Sequence, residues 1–267
     1  MRIALCLSGM VRTLMQTYPS IQRNLLNPLS PDVFIHTYDR MGLRKENDLP
    51  VSESWLKAMF SPVDCRIVPQ AQADLVHEQE RDRLYCYPGP IFGGGIDPEV
   101  TWRLKNVLSQ LWHVQQCDTM RRSHERKQGF KYDVVVRARM DNVFKGPLQV
   151  RENSQPFPEN TVFYPEHSGY GGLCDQFAMG NSDSMAVHSD YYLHFEKVFR
   201  SRPLVPARWG APEGLLRRYI EVFTDIKPVT FSFPFDLQRE NEVETISHKT
   251  DAWWRVWVLG ESDRRVA

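Results

Sequence analysis

Two arginines and an aspartate stand at alternate positions in Arg137-Ala138-Arg139-Met140-Asp141, at the end of the β-branched run Tyr132-Asp133-Val134-Val135-Val136. The run predicts a central strand, and side chains alternate along a strand, so Arg137, Arg139 and Asp141 are expected to project to one side. Burying two guanidiniums is costly unless they meet anions, which places them at a polar cleft by the strand's carboxyl end. Two chemistries fit equally. The arginines could bind a diphosphate or orient Asp141, which would meet a divalent ion or a sugar. Alternatively, an internal Arg–Asp ion pair braces the strand end.

Three further segments carry chemistry. In Ser8-Gly9-Met10-Val11-Arg12-Thr13 a glycine permits close backbone approach, the following helix start offers N–H groups to phosphate oxygens, and Arg12 could reach a diphosphate. The plainer reading is a strand-to-helix turn with an exposed arginine. In Gly171-Gly172-Leu173-Cys174-Asp175-Gln176, Asp175 could take a proton from a hydroxyl and Gln176 could steady a sugar; the competing reading makes Asp175 a helix N-cap. Pro212-Glu213 sets a carboxylate at a predicted helix start, where the helix dipole favours it with or without a role in catalysis. Weaker candidates are Tyr170 and Trp209 as sugar-stacking rings, His36 and Asp39 after the second strand, and His248 as a metal ligand.

These residues need elements to hold them. Ile3 to Leu7 reads as a buried strand, Thr13 to about Leu26 as a helix, and Asp32 to His36 as a second strand. That order implies parallel pairing, because parallel neighbours need a crossover. Residues 52–60 read as a helix and Cys65 to Val68 as a strand. Residues 82–97, with three consecutive glycines, read as a mobile surface loop, of which 89–97 could close over a ligand. Apolar residues at helical spacing predict a long helix from Pro98 to Gln128, stopped by Gly129. Later come a strand at Thr161 to Tyr164, a helix near Asp183, a helix from Gly210 to Val222 and a strand from Val229 to Phe233.

Composition narrows the classes. The 267 residues suit one α/β domain, with 42% hydrophobic and 25% charged residues, which excludes disorder. The 33 basic and 33 acidic residues balance, so no global field favours nucleic acid. No window approaches the roughly 20 apolar residues of a membrane span. The start reads as a strand rather than a signal peptide, which predicts a cytoplasmic protein. Five widely spaced cysteines predict free, buried thiols. The tryptophans at 253, 254 and 257 could touch a membrane surface, although packing on the core is the plainer reading.

Five blocks in order, SGMVRT, NPLSPDVFIHTYD, FKYDVVVRARMDNVF, GGLCDQFAMGNSDSM and APEGLL, resemble a group of bacterial and viral glycosyltransferases of GT-A-like fold. The resemblance implies a single GT-A-like α/β sandwich with a mainly parallel central sheet. Residues 1–145 would bind a UDP- or GDP-type nucleotide sugar, and 146–267 a surface-glycan acceptor. It implies donor contacts from Ser8, Gly9, Arg12, Thr13, Arg137, Arg139, Asp141 and Gln176, with Asp141, Asp175 and Glu213 as catalytic carboxylates. The usual Asp-x-Asp metal motif is here Arg139-x-Asp141, so Asp141 alone could hold Mn²⁺ or Mg²⁺, and Arg139 could replace part of the cation's work on the departing diphosphate. Two other classes fit the same residues: a non-catalytic glycan- or nucleotide-binding protein of degenerate GT-A fold, and a nucleotidyl- or phosphotransferase.

Overall fold

The computed structural model describes residues 1–41, 49–85, 98–150, 157–167, 169, 172–201, 212–239, 242–244 and 255–256. The apolar runs become strands and the periodic stretches helices. In order they are β1 (Ile3–Ser8), α1 (Leu14–Ile21), a π-helical turn (Gln22–Leu26), α2 (Asn27–Leu29), β2 (Asp32–Tyr38), α3 (Glu53–Phe60), β3 (Asp64–Val68), α4 (Gln70–Tyr85) and α5 (Pro98–Gln128). There follow β4 (Val134–Ala138), β5 (Asn142–Phe144), β6 (Gln149–Val150), β7 (Thr161–Pro165), β8 (Phe177–Gly180), α6 (Ser182–Ser189), α7 (Tyr191–Arg200) and α8 (Pro212–Phe223). The last described elements are β9 (Lys227–Phe231), β10 (Phe235–Arg239), β11 (Glu242–Glu244) and β12 (Arg255–Val256).

Seven strands form a mixed sheet in the order β3-β2-β1-β4-β8-β7-β9. β3, β2, β1 and β4 pair in parallel, and so do β7 and β9, while β8 alone runs against both neighbours. The protein is therefore a mixed α/β fold with a large, mostly parallel central sheet. Both faces are covered. Leu5, Leu7, Ile35, Val134 and Val136 pack against α1 and α3 through Leu14, Ile21 and Leu56. On the other face Ala4, Cys6, Phe34, Val135 and Val162 pack against α5, α7 and α8 through Leu108, Phe195 and Leu216. Burial on both faces is why β1 and β4 read as unbroken apolar runs instead of alternating ones.

Local chemistry sets the element ends. Ser52 accepts a hydrogen bond from Trp55 N at 3.4 Å to start α3, and Asn181 accepts from Ser184 N at 2.7 Å to start α6. Gly129 ends α5 in the left-handed region (φ 70°), as expected for a glycine after a long helix. Three expectations are corrected. The first helix breaks into a π turn after Ile21; Pro19 lacks an N–H for the ladder, and the register widens over the next turn. Asp82 to Tyr85 belong to α4 rather than to a loop, whereas residues 86–97, including the glycine run, lie outside the described residues. Cys65 is half-buried, unlike the buried free thiols Cys6, Cys117 and Cys174. Among the described residues no helix is long and apolar enough to cross a membrane.

The topology creates one crevice. From β1 the chain moves outward through β2 to β3, then returns over the opposite face through α4 and α5 to β4, on the other side of β1. Ligands in such sheets bind at this reversal, outside the carboxyl ends of the strands. Ser8-Gly9 and Ala138-Arg139 are those ends.

Candidate active site

Arg12, Arg139 and Asp141 meet at the crevice. Arg139 forms a two-pronged pair with Asp141, Nε to Oδ1 at 2.8 Å and Nη2 to Oδ2 at 2.6 Å. Arg12 reaches Oδ2 of the same carboxylate at 3.4 Å. Burial alone would raise the Asp141 carboxyl, but the charge and hydrogen bonds of Arg139, then the charge of Arg12, overcome it and hold the group below its ordinary range. Burial would likewise lower Arg139, and Asp141 more than restores it, so the guanidinium stays charged. The internal ion pair is thus present, and it stands at the mouth of the crevice instead of deep in the core: the Arg12 and Arg139 side chains are 25% and 17% exposed. Arg12 also has φ 34°, uncommon for a residue with a side chain.

The turn after β1 differs from expectation. The N–H of Gly9 donates to His36 O at 3.1 Å and that of Arg12 to Met41 O at 2.8 Å, so these backbone donors brace the turn and are not free for phosphate. Thr13 Oγ1 donates to Gln238 O at 2.8 Å, and Gln238 N donates to Asp141 O at 2.8 Å, tying β10 across the site. Gly9 sits at φ 103°, and a Cβ there would meet nothing within 4 Å among the described residues. Ser8 Oγ, buried at the end of β1, has no hydrogen-bond partner among the described residues.

A second carboxylate pair lies across the crevice. Asp175 caps no helix; it stands in the bend before β8, 8% exposed. Gln110 from α5 donates to its Oδ2 at 2.8 Å and to its carbonyl at 3.1 Å. The Gln110 side-chain oxygen accepts from Arg139 Nη1 at 3.4 Å, so one amide links the two acidic centres. Glu213, buried in the first turn of α8, is pushed up to about 7, first by burial and then by the charge of Asp175. Close backbone contact brings them together: Leu173 N donates to Glu213 O at 3.1 Å, and a Cβ on Gly172 would lie 2.2 Å from the Glu213 carbonyl. Only glycine fits there. Gln176 gives its carbonyl to Arg139 N at 3.2 Å, and its buried side-chain oxygen has no partner among the described residues.

Arg137 projects from β4 toward α5 and is 3% exposed, behind the crevice. Its Nη1 donates to the Asp175 carbonyl, while Nε and Nη2 find no partner among the described residues. Burial lowers this guanidinium to about 10, which still leaves it protonated at neutral pH. The neighbouring His188, bonded to the Tyr164 hydroxyl at 3.0 Å, is lowered to about 3 by burial and then by Arg137, and is neutral.

Other expected residues lie elsewhere. His36 turns into the core, Nδ1 to Nδ1 of His113 at 2.7 Å, and burial lowers it to about 4. Asp39 accepts from Gln70 N at 2.9 Å, capping the start of α4. Tyr170, Trp209, His248 and the tryptophans at 253, 254 and 257 lie outside the described residues. Gln110 escaped the reading of the sequence. Its signal was available: it is a polar residue one step before Leu111 and three after Val107, on the face that packs against the sheet.

No all-protein metal cage is preformed at the crevice among the described residues. Guanidinium N–H groups occupy both Asp141 oxygens, and the described residues contain no group of three or more His, Cys, Asp or Glu arranged to hold a metal.

Residues 103–192 match a family described as a domain of unknown function (DUF7796), a segment that carries Gln110, Arg137, Arg139, Asp141, Asp175 and Gln176. No curated protein matches the sequence. Among solved structures, the apo form of mouse xyloside xylosyltransferase 1 aligns over 85% of this chain and 84% of its own, at 8% identity and a TM-score of 0.37.

Proposed function

We propose that this chain is a glycosyltransferase of GT-A-like fold that takes a UDP- or GDP-type nucleotide sugar and transfers its sugar to a glycan acceptor. The observation that carries the reading is the convergence, at the sheet's reversal point, of Arg12 and Arg139 on one side and the Asp175–Glu213 pair on the other, bridged by Gln110. Sugar transfer requires both halves. The acceptor oxygen bonds to the anomeric carbon while the bond from that carbon to the diphosphate breaks, so charge builds on the leaving group and a proton leaves the acceptor. Arg12 and Arg139 meet the diphosphate charge, a role that guanidiniums fill well through paired N–H donors. Glu213, with a pKa near 7, takes the acceptor proton, since a general base works best when its pKa is near the working pH. Asp175, fixed by Gln110, orients the sugar between them. The chain's own cations do this work in place of a bound metal.

A panel of UDP-, GDP-, CMP- and dTDP-sugars and ATP, each with manganese, magnesium or EDTA, tests the proposal by thermal shift. A ligand at ~100 times its dissociation constant adds ~2.7 kcal/mol to the native state. One nucleotide-sugar class is expected to raise the melting temperature of the wild type and fail with Arg12→Ala. A shift with ATP alone would favour phosphoryl or nucleotidyl transfer. No shift with any of them would remove the glycosyltransferase reading. Binding without donor hydrolysis or transfer would favour the binding-protein alternative.

A further inference from the structure

Behind Asp175 a cavity of about 20 Å³ opens between β4, α5, α6 and α8. That is room for one water, or for the tip of a larger ligand. Val107, Leu111 and Leu216 belong to its apolar wall; Arg137, Tyr191 and Asp175, with Gln110, His188 and Ser189, supply its polar groups. Arg137 is 3% and Tyr191 2% exposed, yet the Arg137 Nε and Nη2 donors and the Tyr191 hydroxyl have no partner among the described residues. Buried donors are nearly always satisfied, so three at one small cavity call for an acceptor that enters it.

The polar groups restrict what enters. Arg137 and Tyr191 donate to an oxygen, and the Asp175 carboxylate beside them accepts a proton and repels a second anion. A hydroxyl can accept from one Arg137 donor and from Tyr191 while donating to Asp175, whereas a carboxylate would face Asp175. The apolar wall suits a methylene. We infer that this cavity receives the exocyclic hydroxymethyl group of a hexose, so that Arg137 and Tyr191 select hexoses over pentoses. The inference rests on the glycosyltransferase reading and names the sugar class within it. In that arrangement Gln110 spans the ligand: its oxygen faces Arg139 on the diphosphate side, and its amide fixes Asp175 on the sugar side.

Titration calorimetry on the whole chain with UDP, UDP-glucose, UDP-xylose and UDP-glucuronate provides the test, or with GDP, GDP-mannose and its 6-deoxy analogue if the guanine class binds. A site with buried donors rejects an analogue lacking the matching oxygen strongly, so the hexose is expected to bind at least tenfold tighter than the pentose or deoxy sugar. Tyr191→Phe is expected to narrow that ratio at least threefold while leaving the melting temperature of the free protein within about a degree or two, because the lost hydroxyl has no partner among the described residues. Equal affinity for hexose and pentose, or a ratio unchanged by Tyr191→Phe, would overturn the inference and mean that a water fills the cavity. Tightest binding by UDP-glucuronate would also overturn it, in favour of a carboxylate. If UDP or GDP binds in any of these cases, the glycosyltransferase reading survives; if no nucleotide binds, both fall.

Discussion

Replacing Arg139 by Gln removes both hydrogen bonds and the larger share of positive charge from a carboxylate whose side chain is 2% exposed. Breaking a buried pair by deleting one partner costs about 3–5 kcal/mol. Arg12 remains on Oδ2 at 3.4 Å, so the lower part of that range is expected at pH 7. For a chain of this size that is a fall in melting temperature of roughly 6–12 °C. The sign with pH follows from Asp141. In the wild type its pKa is held below 3.8, so its stabilisation is present above that value and is lost as the pH falls through the depressed native pKa. In Arg139→Gln the main opposing influence is gone and burial raises the carboxyl instead. Acid then relieves the variant by protonating a group that has lost its partner, and the gap to wild type should shrink between pH 7 and pH 5. Urea unfolding followed by tryptophan fluorescence at both pH values measures this, and adding Asp141→Asn to the variant should recover part of the loss. A cost below about 1 kcal/mol at pH 7, or a gap that ignores pH, would refute the argument that this pair is structurally engaged as well as poised for a ligand.

Gly172→Ala places a methyl group 2.2 Å from the Glu213 carbonyl, where backbone on both sides must move, and should cost about 1–3 kcal/mol in urea unfolding with a drop in transfer rate. Glu213, raised to about 7, holds a proton in the native state that the unfolded chain has released above about 4.5. Stability should therefore fall as pH rises from about 4.5 to 7, transfer should rise with pH through about 7, and Glu213→Gln should abolish both trends; profiles that keep these inflections would assign them elsewhere. EDTA should leave the donor-induced thermal shift unchanged, and its loss on chelation would show that a metal is needed after all.

The parts of the fold that were legible from the residues are those where one physical pattern dominates. β1 and β4 are continuous apolar runs, and α5 has helical spacing and a glycine stop. α4 was missed because its sequence, QAQADLVHEQERDRLY, is polar almost throughout; it packs through a few residues such as Ala73, His77 and Leu84. β8 has four residues, too few for a period to show, and its antiparallel setting is fixed by partners distant in sequence. Within the site, the side-chain types predicted the arginine and carboxylate groups, but not how they divide. Arg12 joining Asp141 across 129 residues, and Gln110 joining Asp175 across 65, are products of the sheet's reversal that no local pattern encodes. The histidine of β2 misled because the end of a parallel strand has two faces, and His36 takes the one covered by α5.

On the proposed reading, the ion pair and the ligand site are one device. Arg12 and Arg139, brought together at a strand end, would repel each other; Asp141 between them removes that cost while no ligand is bound. On the proposed reading, an incoming diphosphate would offer the same guanidiniums a larger charge and compete with Asp141 for them. The two contacts are unequal. Arg139 holds Asp141 with two bonds of 2.8 and 2.6 Å, whereas Arg12 reaches the same carboxylate at 3.4 Å from a more exposed side chain, on a backbone in a sparsely used conformation. Arg139 is therefore the main partner that keeps Asp141 paired. An Asp in place of Arg139 would leave two carboxylates facing one arginine and would need a cation to hold them together. Arginine at that position supplies a cation covalently, and on the proposed reading that charge would face the diphosphate leaving group.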